Sequence, residues 1–329
     1  MEGVKKIIDQ QVMEEFFRNS LDLFPEATEL VSLKINRHNP NFVLDPKAIL
    51  AEYRLVFKKA DGTEFETTLR GSADPSFKRR KHYQVLKALW GKGFGEGENI
   101  VARPVAYIEE FHLLLYVNIL GQSLYDKFKW VPEDVWTEKI WKAIDWLIEF
   151  HSKKPVHIPD ADFDWQEEKN KFRELIGSLN HRYPDHEALI RAVTERMMRE
   201  EKEIIDEDKL HLIHGDYQPH NIIFSDYPQK TVVIDFNDSM YYDELYDLSY
   251  FLTQTKTMLY QITQKDYSSL NGQIIKYYFE KRGLTYDEKA ERKINLFRLK
   301  TLMHIKAVTE LKTVKNIIPE LETYAKQTV

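Results

Sequence analysis

Along residues 4–21 the apolar side chains Ile7, Ile8, Val12, Met13, Phe16, Phe17 and Leu21 recur at three- and four-residue intervals, which predicts one amphipathic helix. The period then changes to two. Ala51, Tyr53, Leu55 and Phe57 alternate with Glu52, Arg54 and Lys58, and Phe65, Thr67 and Leu69 alternate with Glu64, Glu66 and Arg70. Asp61-Gly62 stands between the runs, so an antiparallel hairpin is predicted. A helix is expected over residues 75–90, then a run holding Gly91, Gly93, Gly95 and Gly97, then short strands around 101–108 and 112–117. Beyond Leu120 helical periods dominate. Pro132 opens a helix carrying Val135, Ile140, Ile144, Leu147 and Ile148, and a charged helical stretch covers 164–206. Two short apolar segments, 210–213 and 231–234, each lead to a His or an Asp. Thr285 and Glu288 form a capping-box pattern ahead of a last helix with Ile294, Phe297, Leu299 and Leu302.

This order, strands first and helices after, sets an expectation of two parts: residues 1–117, strand-rich, and residues 118–329, helical. A length of 329 residues agrees, at roughly 150 residues per domain. With 43% hydrophobic and 13% aromatic residues, the chain can build a core and does not have a disordered composition. It has no cysteine, which removes disulfide frameworks, thiolate metal sites, iron–sulfur clusters and thiol nucleophiles together. No apolar run approaches the ~20 residues of a membrane span, and the first thirty residues lack the basic-then-apolar order of a signal peptide. A cytoplasmic protein without a membrane partner is the expectation. The net charge of −6 argues against a nucleic-acid partner. That charge is unevenly spread: residues 201–250 hold 12 acidic against 3 basic side chains, as either a solvated face or a place for cations.

The candidate chemistry falls in that window. In His214-Gly215-Asp216-Tyr217-Gln218-Pro219-His220-Asn221 an apolar segment delivers His214 to a loop, and Asp216 and Asn221 stand five apart on it. Val232-Val233-Ile234-Asp235 then presents a second carboxylate at a strand end. Phosphoryl transfer from ATP requires such a set, with one carboxylate to orient an acceptor hydroxyl and oxygen donors to hold magnesium on the phosphates. A hydrolytic zinc site from His211, His214, Asp216 and His220 is the competing reading. His211 and His214 are three apart and would point to opposite faces of a strand, so a loop-bracing role for His214 suits the pattern better.

The segments HGDYQPHN and VVIDFNDSMYYDELYDLSYF resemble the catalytic core of the aminoglycoside phosphotransferase and choline kinase-like family, small-molecule relatives of the protein kinases. The resemblance covers most of the chain. It implies a two-lobed α+β protein kinase-like fold with ATP between the lobes, Asp216 as catalytic base, Asn221 and Asp235 as magnesium ligands, and Asp247 as a structural acid bracing the loop. It further implies a connector over residues 113–121 where adenine meets the backbone near Val117 and Ile119. Asp238 is either a third carboxylate near the metal or a turn acid.

The chain also departs from that family pattern. The strand over 66–71 ends in Arg70 where the family has a lysine for the phosphates, and no Glu occurs between Phe77 and Trp90 to pair with it, His82 being nearest in helical register. Arg70 can fork onto phosphate oxygens or be an exposed strand-end charge. The stretch Asn36 to Asn41 stands where a glycine-rich lid is expected and holds no glycine. The basic run Lys78, Arg79, Arg80 and Lys81 reads as a solvated helix face, and the four alternate glycines as a connection without a phosphate-loop spacing. The function expected is an ATP- and magnesium-dependent kinase acting on a hydroxyl of a small molecule, the alternative being a nucleotide-binding pseudokinase. Asp238, Asp243 and Glu244 either favour an amine-bearing acceptor or are solvated.

Overall fold

The structure is a computed structural model that describes residues 2–38, 48–76, 78–153, 157–226, 228–308 and 317–326. It divides into two compact units, Met1–Gln122 with Ile223–Ser239, and Ser123–Ile222 with Met240–Val329. The expectation of one cut after Val117 differs from this division chiefly in the hairpin Ile223–Ser239, which carries Asp235 into the first unit.

The first unit opens with α1 (Glu2–Lys6) and α2 (Gln10–Asn19), not with one helix over 4–21. Asp9 causes the break. Its backbone is extended at φ −82° and ψ 120°, and its carboxylate accepts from the amides of Gln11 and Val12, capping α2. There follow β1 (Glu29–His38), β2 (Ile49–Lys58), β3 (Glu64–Ala73), α3 (Lys78–Leu89), β4 (Asn99–Val101), β5 (Pro104–Ile108) and β6 (Leu113–Val117). Five strands make an antiparallel sheet in the order β1-β2-β3-β6-β5. The predicted hairpin is β2–β3, in which Asp61 accepts from the amide and hydroxyl of Thr63. Ile7, Met13 and Phe17 of the opening helices pack on Tyr53, Leu55 and Phe57 of the sheet, and the Tyr53 hydroxyl donates to the Ile7 carbonyl at 2.8 Å. Helix α3 buries His82, Val85, Leu86 and Leu89 against β5 and β6, and the glycine run after it closes a widened turn, Trp90–Phe94. Of the glycine-free segment between the first strands, Asn36 to His38 belong to β1 and Asn39 to Asn41 lie outside the described residues.

The chain leaves this unit at the two-residue strand β7 (Gln122–Ser123). The second unit contains α4 (Leu124–Trp130), α5 (Glu133–Ser152), α6 (Trp165–Arg182), α7 (Glu187–Ile204) and β8 (His211–Ile213). The predicted helical stretch 164–206 is broken between α6 and α7 because Tyr183 precedes Pro184 and takes φ −132°, outside the helical region. Strands β9 (Ile222–Asp226) and β10 (Gln229–Val233) return to the first unit, where β10 pairs in parallel with β4, Val233 opposite Val101. The second unit resumes with β11 (Met240–Tyr242), antiparallel to β8, and closes with α8 (Leu245–Thr263), α9 (Ser268–Arg282), α10 (Glu288–Val308) and α11 (Ile318–Lys326). Phe172, Leu179, Ile190, Met197, Leu299 and Leu321 form a core shared by α6, α7, α10 and α11. The cap of α10 is Asp287, whose carboxylate accepts from the Ala290 amide at 2.8 Å, and not the expected Thr285. Among the described residues no helix is long and apolar enough to cross a membrane.

Candidate active site

Strand β8 ends at Ile213 and residues 214–221 must turn back to β9, so their amides lose the ladder and need other partners. Asp247 supplies them. It lies on the first turn of α8, fully buried, and its two oxygens accept from the His214 amide at 2.7 Å and the Gly215 amide at 2.9 Å. The helix N-terminus adds a favourable field for this carboxylate. Gly215 sits at φ 81°, a left-handed conformation that a side chain would strain. His214, also fully buried, accepts from the Asp216 amide through Nδ1 at 3.2 Å. On the far side of Asp247 the Nε2 of His151, from α5, lies at 3.2 Å, and its Nδ1 is 2.7 Å from the Tyr278 hydroxyl.

The loop holds the Asp216 carboxylate in a fixed plane. Asn221 donates from Nδ2 to Asp216 Oδ2 at 2.8 Å and to the Asp216 carbonyl at 2.9 Å, and Gln218 Nε2 reaches both carboxylate oxygens at 2.8 and 2.9 Å. The Tyr250 hydroxyl adds a further bond; burial first, and then the charge of Asp216, raises its pKa well above the ordinary phenol value. Tyr217 anchors the loop beneath, stacked on Trp146 at 5.6 Å and donating to the Ala143 carbonyl at 2.7 Å. Asp216 and Asn221, expected together from their spacing, are together. Of the other two histidines of the zinc reading, His220 lies against the Tyr125 ring, tilted, at 4.0 Å, and His211 lies 4.0 Å from Glu244, each with its pKa lowered first by burial. Among the described residues no three His, Asp or Glu gather as a metal cluster.

In the first unit, Asp235 follows β10 at φ 67° and ψ 61°, a conformation few non-glycine residues adopt. Its side chain is 44% exposed, accepts from Asn237 Nδ2, and lies 3.7 Å from Arg79 Nη1. Asp238, half exposed, pairs with Lys78 at 3.5 Å. Arg70 donates from Nε to Asn118 Oδ1 at 2.8 Å and lies 3.6 Å from Glu52, its register partner on β2. Burial pushes the Glu52 carboxyl up, but hydrogen bonds from Asn36 and Arg54 and the nearby arginine charges outweigh it, and the net shift is downward. His82 is buried between the rings of Tyr116 and Phe236 at 6.4 and 6.1 Å. At the connector the Val117 amide donates to the Arg103 carbonyl at 2.9 Å and the Asn118 amide to the Thr68 carbonyl at 2.9 Å, so Val117 could offer adenine only its carbonyl without opening the strand.

Asp216 with Asn221 in the second unit, and Asp235 in the first, each present oxygen donors of the kind magnesium takes. Asp235 offers a partly exposed carboxylate, and both bonds of Asn221 use its nitrogen, keeping the amide oxygen as the donor atom. Asp243 and Glu244 belong to neither description given for them. Both are buried, Asp243 bonded to Lys293 and Glu244 paired with Arg282 at 2.8 Å, so they are neither solvated nor offered to an acceptor. No role was expected from the sequence for Gln218, Tyr250 or His151, and Arg79, expected on a solvated face, is 13% exposed. For Tyr250 a signal exists, since it stands three residues after Asp247, on the same helical face.

No curated protein sequence matches the chain. Solved structures do. A choline kinase from Cryptosporidium parvum superposes with a TM-score of 0.59 at 12% identity, covering 96% of this chain and 94% of that one. An ethanolamine kinase from Plasmodium vivax gives 0.54 at 12% identity over 98% and 91% of the two chains. An ADP-bound aminoglycoside phosphotransferase of type (2'')-Ib gives 0.52 at 16% identity over 97% of each. At these identities the likeness is one of fold, and the fold is the expected two-lobed α+β, kinase-like one. The model of the phosphotransferase enzyme family matches residues 56–285, a span that includes β3, α3, the Asp216 loop, Asp235 and Asp247, and the chain belongs to that family.

Proposed function

We propose that this phosphotransferase moves the γ-phosphoryl group of ATP to a hydroxyl of a small molecule. The observation that carries the reading is the Asp216 carboxylate, fixed by Gln218, Asn221 and Tyr250 on a loop strung from the buried Asp247. A carboxylate held by that many donors is fixed in direction, so its work is orientation: it accepts the acceptor's O–H and keeps the oxygen aligned for attack, taking the proton as the new O–P bond forms and the bond from the γ-phosphorus to ADP breaks. Asn221 and Asp235 are the proposed magnesium ligands, and magnesium would supply charge neutralisation on the phosphates. His214 and Asp247 keep the loop from relaxing, and Ile119 with the Val117 carbonyl is the proposed adenine contact.

The acceptor is a small molecule, by the family and by the choline, ethanolamine and aminoglycoside kinases that share the fold. Asp216→Asn should retain Mg·ATP affinity and lose nearly all transfer, followed as ADP release against amino alcohols, amino sugars, sugars and nucleosides. Full transfer by that variant would exclude Asp216 as the orienting base. A second reading, a nucleotide-binding pseudokinase, draws on one observation: α3 contains no glutamate and β3 no lysine, so the usual ion pair is missing. ATP binding with no turnover in that screen would favour it.

A further inference from the structure

The basic run on α3 reads from the sequence as a solvated face, and the structure singles out one member. The Arg79 side chain is 13% exposed, whereas that of Lys78 is 60% exposed. Its Nε lies 3.0 Å from Asp74 Oδ2. Asp74 is itself buried, and its other oxygen accepts from the Ser76 amide at 2.8 Å and from the Ser76 hydroxyl. The contact with Asp74 is an ion pair in which Nε makes no hydrogen bond, and it holds the guanidinium beside Asp235, with Nη1 3.7 Å from Oδ1. That separation is close enough for charge and too long for a hydrogen bond, so the Nη1 donors are not spent on Asp235. The Tyr116 hydroxyl lies within the field of the same groups, Asp235, Arg70 and Arg79. Arg70, the cation that the family pattern places on the phosphates, instead gives its Nε to Asn118 and faces Glu52.

We propose that Arg79 is the nucleotide-phosphate cation of this chain, taking the part of the missing strand lysine from the first turn of α3. The proposal rests on the reading of Asp235 as a magnesium ligand. A fixed positive charge beside that carboxylate opposes a bare divalent cation there. It favours one that arrives with phosphate oxygens, because a planar guanidinium edge accommodates two such oxygens and the anion separates the two positive charges. Arg79 therefore couples metal and nucleotide: each binds weakly alone and both bind well together. Asp74 is the residue that keeps the fork aimed.

The test is equilibrium binding by calorimetry on the full chain, with ATP alone, magnesium alone, and both. Arg79→Gln is expected to weaken Mg·ATP roughly 10- to 100-fold, the effect of losing a charge-assisted pair of bonds, and to tighten binding of magnesium alone. A merely structural role for Arg79 would not produce that second change. Arg70→Gln should leave Mg·ATP affinity within about threefold, since its bonds lie elsewhere. If Arg79→Gln does not fold, Arg79→Lys decides, with an intermediate loss expected because the charge remains and the fork does not. Unchanged Mg·ATP affinity in a folded Arg79 variant, or a loss carried by Arg70→Gln instead, overturns the proposal while leaving the phosphotransferase reading intact. A wild-type chain that binds no nucleotide under any of the three conditions overturns both.

Discussion

The Asp216 carboxylate accepts from Gln218, Asn221 and Tyr250, and these donors fix its direction. Gln218 is the donor that reaches both of its oxygens, and an acceptor hydroxyl needs the same oxygens. With Gln218→Ala the carboxylate keeps Asn221 and Tyr250 but loses one charge-assisted bond, worth about 1.5–3 kcal/mol. The expected outcome is a fall of roughly tenfold or more in kcat with the KM for ATP unchanged, measured by steady-state kinetics on the best acceptor from the screen. A shift in KM for ATP instead would assign Gln218 to the nucleotide side. At this scale the sequence is most legible where partners are close along the chain. Asp216 and Asn221 stand five residues apart, and their hydrogen bond is the contact that the loop spacing implies. Arg70 and Glu52 are matched only by the register of β2 and β3, and Arg79 meets Asp235 across more than a hundred intervening residues. No pattern in one dimension marks either pair.

Helices and strands obey the period of their apolar residues, and they end where a side chain competes with the backbone. Residues 4–21 have an unbroken helical period, yet the chain turns at Asp9 because its carboxylate satisfies two amides that a continuous helix would have to bond otherwise. Asp287 does the same at α10, where the S/T-x-x-E pattern had pointed to Thr285. The hairpin strands β2 and β3, the strands at β5 and β6, the order of strands before helices and the position of the Asp216 loop were readable, since each depends on periodicity or on turn residues, whereas β1, β7 and β11 were not expected. The breaks were not readable, because a cap and a continued helix share the same apolar face. Asp9→Ala should lower the stability of the first unit by about 1 kcal/mol, the usual worth of a cap, read from the urea midpoint of its transition. An unchanged midpoint would mean that the packing of Met13 and Phe17 sets the start of α2 without the cap.

Over the whole molecule the excess of acid in residues 201–250 is answered by cations from elements distant in sequence. Lys293 and Lys300 come from α10 and Arg282 from α9, meeting Asp243, Glu201 and Glu244. Lys300 is the centre of the deepest of these groupings, 2.9 Å from Glu201 and bonded to Glu168, with the rings of Phe172, Tyr242 and Tyr246 around it. One cation between two buried carboxylates cannot serve both equally. Burial pushes Glu168 up, but Lys300 and Lys171 outweigh it and its pKa is lowered; Glu201 is raised by burial and by the charge of Glu168 in spite of Lys300. The signs follow from proton counting. A lowered carboxylate stabilises the fold above the ordinary carboxylate range, and that stability is lost as pH falls through it. A raised one binds more protons folded than unfolded, so its contribution declines as pH rises from the ordinary value toward the raised one. Glu201→Gln removes the second dependence and keeps an oxygen for Tyr242, so its melting temperature relative to wild type should improve from pH 5 to pH 8. Glu168→Gln should cost a nearly constant amount from pH 5 to pH 8 and progressively less as pH falls below the ordinary carboxylate range. Lys300→Met leaves Glu201 buried without a cation and Glu168 with Lys171 alone, 3.7 Å away, and should cost about 3–5 kcal/mol. Calorimetric melting of the three variants from pH 4 to pH 8 distinguishes the assignment, and a Glu168→Gln variant that gains on wild type toward pH 8 while Glu201→Gln stays level would place the ionised partner of Lys300 at Glu201.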